Sequence, residues 1–581
     1  MAKFLIGILT GIILTGLVLL IVVFSAMRFR ERPPVVQRGS TLVMDLEGEI
    51  PERPPLEYPI PFLGGRDGIT VENVWSVLRK AAVDSRIKAV VLAPRSLDVG
   101  WAKLQELRGN LEQLRKSGKP LYAYLKTPGA KEYYLATAAE RIYLTPEDYL
   151  NLKGMRVELM YFKNTLDKLG VQVEVQHAGK YKDFGDMFTR TSMSPETREV
   201  LNSVLDELYG NLVSTIAKGR KKSPEEVRAL MDQGPFLSSQ AAGTGLVDAV
   251  SFEDEMYADL KKKLGGDEIK KISVGDYVRV PAGSLGLEGK QRIALVVGQG
   301  GITRGHAEDE GLSEDSGIQS EAFVKLLRQV GSDANIKGVV VRIDSPGGEV
   351  TASDEIWREM NLLSKKKPLV ISMSDAAASG GYYISMTGDP IVAYPGTFTG
   401  SIGVVFGKPN LRGLYDKLGI TKESLLRGRL ADIDSDYKPL GPDGRKKLEE
   451  AIDHIYTAFV GKVAHARRRR YEEVEPLAQG RVWLGSQAKQ RGLVDELGGL
   501  DRAFELVKQK AKIPATEKIT VVTYPPRRTI FDLVLGRGGE DVLASIPGFR
   551  AVASAVRKVG GARLWMQGGL MRVMPYWVEV F

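Results

Sequence analysis

The chain repeats itself once, and that restricts its fold more than any local pattern does. The segment SRIKAVVL (Ser85–Leu92) returns as ANIKGVVV (Ala334–Val341), so Ile87 answers to Ile336 at an offset of 249. Tyr133-Tyr134 returns as Tyr382-Tyr383, and LDKLG (Leu166–Gly170) as YDKLG (Tyr415–Gly419), both at 249. Further on, SQAAGTGLVD (Ser239–Asp248) matches SQAKQRGLVD (Ser486–Asp495) at 247, as KISV (Lys271–Val274) matches KITV (Lys518–Val521). At the front, LVMDLEGEI (Leu42–Ile50) resembles ALVVGQGGI (Ala294–Ile302) at 252. Such constant spacing reads as two tandem copies of one domain, 41–278 and 292–525, joined by a linker over 279–291. Two long copies argue against a solenoid, which stacks many short ones.

Within each copy, short β-branched runs alternate with helical stretches. AVVLA and GVVVRI have strand composition. LQELRGNLEQLRKSG and DEIWREMNLLSKKK follow with apolar residues at helical spacing, then PLYAYL and PLVISM return as strands. RIYLTP and PIVAYP come after the next helix. This is βαβ order, so an α/β fold with parallel sheets and right-handed crossovers is expected in both copies.

Ahead of the first copy, Phe4–Met27 carries no charge, and its 24 residues as a helix span about 36 Å, enough to cross a bilayer core. The run is longer than a signal-peptide core, and Phe24 stands where a small residue would precede cleavage. A retained N-terminal transmembrane helix over residues 1–27 is therefore expected, followed by a linker over 28–40. Arg28, Arg30 and Arg32 behind the run, against Lys3 ahead of it, lean weakly towards a cytoplasmic body. The chain has no cysteine, which excludes disulfides, thiolate nucleophiles and cysteine-ligated metal sites. Its 81 Lys and Arg exceed its 72 Asp and Glu by nine, too thin an excess to call for a nucleic-acid partner. The four histidines, His177, His306, His454 and His465, form no metal-like spacing, so no metal or cofactor is expected. The loop His306–Gly317 reads as acidic and solvated, and Arg467–Arg470 as a solvated helix end. The tail, 526–581, offers two short amphipathic helices at Phe531–Leu535 and Phe549–Val559. It ends in the apolar, aromatic LWMQGGLMRVMPYWVEVF (Leu564–Phe581), which could pack on its own domain, cover a subunit contact or touch lipid.

The two copies differ where chemistry would sit. The second reads RIDSPGGEVTASDEIW (Arg342–Trp357), MSDAAASGGYYISM (Met373–Met386) and GTFTGSIGVVFG (Gly396–Gly407), each with Gly or Ser just after a strand. Glycine there admits close backbone approach and leaves N–H groups free for developing negative charge, and a serine at such a junction suits a nucleophile. Subtracting 249 turns Ser379 into Ala130, Gly347-Gly348 into Asp98-Val99 and Gly400-Ser401 into Asn151-Leu152. Downstream the asymmetry reverses: Lys182, in HAGKYKDFGDMFTR (His177–Arg190), maps to Ala431. Each copy holds half of a candidate site. Lys180 and Lys153 are read as surface charges.

Together the paired halves, the N-terminal anchor, GKYK in the first half, and DSPGG, AASGGYY and TGSIGVV in the second resemble peptidase family S49, the protease IV and signal-peptide-peptidase family, in its long two-repeat form. The resemblance implies two ClpP/crotonase-like repeats and a serine protease with a Ser/Lys dyad. Ser379 is then the nucleophile, Lys182 the general base and Ser401 the residue that orients the lysine. Backbone amides around Gly347, Gly348 and Gly380 form the oxyanion hole. It further implies a homotetramer with lysine and serine meeting between neighbouring protomers, and peptide substrates, released signal peptides among them. The anchor would sit in the bacterial inner membrane, single-pass, with the catalytic body outside the cytoplasm; this overrides the weak charge lean. Two rival functions are a non-catalytic membrane-anchored scaffold, against which the complementary half-sites speak, and a crotonase-like acyl-CoA enzyme, which needs neither a Ser/Lys pair nor an anchor.

Overall fold

A computed structural model describes residues 33–53, 68–266, 268–305, 317–526 and 569–574, with Gly11 and Leu14. Nearly all of the expected anchor, the acidic loop apart from Gly317, and both short tail helices lie outside these residues. Among the described residues no helix is long and apolar enough to cross a membrane.

Each copy builds its own parallel sheet. In the first, the order is Ala249–Val250, Arg141–Leu144, Leu121–Leu125, Ile87–Leu97, Ser40–Gly48, Lys270–Ser273, every pairing parallel. The second runs Val482–Leu484, Phe398–Gly400, Leu369–Ala378, Ile336–Ser345, Gln291–Gln299, Ile519–Tyr524, antiparallel only at its Val482 edge. The β-branched runs are central because both sheet faces are covered: Val90, Val91, Val339, Val340 and Val341 are all buried. Equivalent ion pairs recur, Arg220 with Asp248 and Arg467 with Asp495, each tying the end of a 26-residue helix to the loop behind it. Arg467 is thus engaged, while Arg468, Arg469 and Arg470 are exposed, as expected of a helix end.

The helix Trp101–Arg115, expected from apolar residues at helical spacing, forms, and it buries more than those residues. It buries Lys103, Gln105, Glu106, Arg108 and Asn110 beside its leucines. The reason is its place between the copies. Asp375, from the second copy, caps its start, accepting hydrogen bonds from Gly100 N and Lys103 N at 2.9 Å each. Lys103 Nζ reaches Asp344 at 2.8 Å. Arg342, wholly buried, lies 2.5 Å from Glu106 and 2.8 Å from Glu52. A first-copy helix is thereby clamped to the strand that leads to Pro346 and Gly347.

A third sheet belongs to neither copy alone. Its order is Ile318–Gln319, Ile302–Thr303, Gly347–Glu349, Gly569–Val573, Val404–Asn410, Gln172–Ala178. The first copy contributes Gln172–Ala178, which pairs antiparallel with Val404–Asn410, Ala178 opposite Val404. The tail contributes Gly569–Val573, so of the roles open to the tail, packing on its own chain is the one these residues show.

Candidate active site

The bridging strand Gln172–Ala178 delivers Lys182. After Ala178 the chain turns at Gly179 (φ +100), where a Cβ would stand 2.4 Å from the backbone of Gln479. Tyr181 N then donates to Gln479 O at 2.9 Å. Two second-copy glycines admit the lysine. A Cβ on Gly480 (φ +74) would lie 2.6 Å from Lys182 Cβ, and one on Gly403 would lie 3.1 Å from its Cδ. The Gly480→Ala protein is expected to lose about 10²-fold in peptide turnover, because the lysine must move by a sizeable fraction of an ångström. Gly441→Ala, where a Cβ meets open space, is the matched control, and steady-state rates compare the two.

Strand Leu369–Ala378 carries Ser379 to the start of the five-residue helix Gly380–Ile384. Ser379 has φ 52 and ψ −112, a conformation costing a side-chain-bearing residue about 1–3 kcal/mol. Its N–H is held by Gly400 O at 2.8 Å. Ser401 follows Gly400, also with positive φ, its N–H donating to Arg481 O at 2.7 Å.

These elements bring all the expected residues together. Lys182 Nζ lies 2.8 Å from Ser379 Oγ, 2.8 Å from Ser401 Oγ and 3.1 Å from Ser401 O. All three side chains are fully buried. Burial presses the Lys182 amine well below its ordinary value; Asp183 pulls the other way and Arg572 adds to the depression. The Asp183 carboxyl accepts a hydrogen bond from the Thr197 hydroxyl, and burial pushes it up to about 7. The backbone amides also converge. A Cβ on Gly347 would stand 2.7 Å from Gly380 N, and one on Gly380 3.0 Å from Gly348 N, so only glycine lets these strands close up. Lys180, Lys153, His177, His454 and His465 are exposed. Among the described residues no group of three or more acidic or histidine side chains could hold a metal ion.

One expectation is corrected. Lysine and serine were expected to meet between protomers, but they meet within one chain, because Gln172–Ala178 joins the second copy's strand Val404–Asn410 directly. Sequence reasoning missed Gly403, Gly480, Asp183 and Arg572. Gly403 stands in the TGSIGVV run and Gly480 in Ala478-Gln479-Gly480-Arg481, and neither pattern by itself tells what faces the glycine.

A hydroxyl beside a desolvated amine is equipped for acyl transfer, and the class of protein so defined is a serine protease. Comparison with known proteins narrows the class. A model of peptidase family S49 matches residues 113–266 and again 361–514, and a Clp protease model matches 314–397. The chloroplast serine protease SPPA of Arabidopsis thaliana is 36% identical over 509 residues, spanning 87% of this chain and 74% of that protein. Protease 4 of Salmonella typhi is 31% identical over 535 residues, spanning 88% and 84%. Among solved structures, ClpP1 from Listeria monocytogenes aligns with 36% of this chain and 91% of its own at 17% identity and a TM-score of 0.22. The chain belongs to peptidase family S49, in its two-repeat form.

Proposed function

We propose that the chain is a membrane-anchored endopeptidase that cleaves peptide bonds with a Ser379/Lys182 dyad. The observation that carries this reading is the 2.8 Å approach of a fully buried Lys182 amine to Ser379 Oγ. In the neutral state the Ser379 hydroxyl donates to Nζ. As Oγ bonds to the substrate carbonyl carbon, its proton passes to Lys182. The developing oxyanion is received by amides around Gly347, Gly348 and Gly380. The lysine ammonium then protonates the leaving amine as the C–N bond breaks. In the second half Lys182 takes a proton from water as the water oxygen bonds to the acyl carbon, then returns that proton to Ser379 Oγ as the ester C–O bond breaks, releasing the acid and the free hydroxyl. Ser401 Oγ, on the other side of Nζ, orients the amine throughout.

The substrates in this reading are released signal peptides. The support is the apolar run Phe4–Met27, which would hold the site near a bilayer, and the family resemblance. In the same reading, and on the same support, the anchor sits in the bacterial inner membrane with the body outside the cytoplasm; protease accessibility on spheroplasts tests that directly. The homotetramer rests on the resemblance alone, and sedimentation of the detergent-solubilised chain measures it.

The pH profile tests the dyad. A protonated lysine cannot accept the serine proton, so activity falls as pH drops through the Lys182 value and is full above it. Because burial lowers that value, the acid limb of kcat/KM is expected well below the free-lysine value of 10.5. A limb near 10.5 in a single-turnover acylation assay would refute the base assignment.

A further inference from the structure

The two copies divide a second set of side chains between them, as they divide the dyad. The helix Pro195–Arg220 follows the lysine loop, and its Glu199, Ser203 and Glu207 lie one turn apart on one face. That face meets the second copy. Glu199 pairs with Arg481, Gln487 Nε2 donates to Ser203 Oγ at 3.1 Å, and Ser486 Oγ donates to Glu207 at 2.9 Å. The hydroxyl of Tyr181, the residue before Lys182, donates to both Glu199 carboxylate oxygens at 3.2 Å. The Arg481 guanidinium lies 4.8 Å from the Tyr181 ring centre and 4.4 Å from that of Trp483. It also holds the Glu199 carboxyl below its ordinary value.

Arg481 touches the serine arm as well. Its carbonyl accepts the Ser401 N–H, and it follows Gly480, against which Lys182 packs. Val482 and Trp483 pair with Gly400 and Thr399, in the strand that ends just before Ser401. Duplication marks the set. The pair Thr399 and Trp483 recurs in the first copy as Leu150 and Phe236, which puts Gly234 where Arg481 stands. Glu199, carried 247 residues along the matching 26-residue helices, becomes Lys446. The arginine is kept beside Ser379 and Ser401, and its acidic partner beside Lys182.

We infer that Arg481 is a positioning residue of the dyad, holding Lys182 and Ser401 in place against Ser379 through its contacts with Glu199, Tyr181 and Trp483. This rests on the proteolytic reading above. The Glu199 side chain is 53% exposed, and an ion pair with so open a partner adds little to stability. What the cluster supplies is placement. Lys182 Nζ stands 2.8 Å from two hydroxyls, and a misplacement of about 1 Å in such a site costs about 10²-fold in rate. Arginine suits the post because its planar fork pairs with a carboxylate while its face lies against rings, which a lysine ammonium does not reproduce.

Variants of the full chain test this. Arg481→Met should lower kcat for a peptide about 10²-fold while KM and the thermal midpoint stay unchanged. Arg481→Lys should recover only part of that loss. Glu199→Gln should lose less than Arg481→Met, since the contacts with the rings remain. The double variant Arg481→Met with Glu199→Gln should be no slower than Arg481→Met, because both act on one placement. The acid limb of kcat/KM should move upward in Arg481→Met, as water reaches a displaced amine. The charged groups that face Lys182, Asp183 on its own loop and Arg572 on the strand Gly569–Val573, are the same in every variant.

An unchanged kcat in Arg481→Met overturns the inference. So does a fall in kcat that tracks the thermal midpoint and adds up in the double variant, which is what a part in folding alone would give. Should Arg481→Met fail to fold, kcat and the acid limb of Glu199→Gln, altered on an exposed helix face, decide. An alkyl fluorophosphonate separates this from any failure of the proteolytic reading. Its phosphorus bonds to Ser379 Oγ as fluoride leaves and Lys182 takes the hydroxyl proton, with no peptide required. Labelling should slow in Arg481→Met by the same factor as kcat. Slowed labelling with no peptide turnover in any of the proteins overturns the proteolytic reading alone. Equal labelling of Arg481→Met and the unaltered chain, or no labelling of Ser379 in either, overturns the positioning role.

Discussion

Lys182→Met abolishes peptide hydrolysis while leaving the fold intact. The expected loss in kcat is about 10³-fold or more, the scale on which removal of a general base from a cooperating pair is felt. Methionine matches the length and burial of the lysine stem but has no amine to take the Ser379 proton. Stability should be preserved, because a neutral amine buried beside two hydroxyls is replaced by an apolar group of similar volume. Ser379→Ala is expected to cost as much, and combining the two should cost little more, since both act in one proton transfer. Steady-state rates together with thermal unfolding check all three proteins. Near-normal turnover in Lys182→Met would remove the dyad from the mechanism.

Arg342→Met carries the largest expected stability loss. It leaves Glu52 and Glu106 buried without the guanidinium that lies 2.8 and 2.5 Å from them. Stranding a buried charge in this way costs about 3–5 kcal/mol, far more than a surface pair is worth. The loss should also reach activity, because the strand Ile336–Ser345 that carries Arg342 leads to Gly347. Replacing Glu52 and Glu106 with Gln in the same protein removes the stranded charge and should restore most of the thermal midpoint. No recovery in the triple variant would show that Arg342 acts by packing rather than by charge.

The halves of the site were legible because duplication supplies an internal control. Ser379 against Ala130, and Lys182 against Ala431, mark positions where one copy carries chemistry and the other does not. Strands and helices were legible because their periods are local. The charged positions of Trp101–Arg115 were not, since Lys103 and Glu106 look like any solvated helix face until their partners Asp344 and Arg342 are known. The tail was legible only as apolar: its pattern announces burial, and packing on its own chain is what Gly569–Val573 shows, but the strands it pairs with could not be read from it.

By itself the sequence determined two α/β copies, the βαβ succession of strands and helices along each, and the residue types available in each half, all through patterns that span a few turns or one constant offset. Only the tertiary structure decided that lysine and serine meet inside one chain. That follows from a single antiparallel pairing, Gln172–Ala178 with Val404–Asn410, between segments more than two hundred residues apart. It likewise decided that Gly403 and Gly480 make room for Lys182, and that Gly569–Val573 lies over Gly347-Gly348. The physical reason is common to all three. Backbone pairing and close approach depend on which edges and surfaces remain open once the two sheets have formed, and no local period in the chain encodes that.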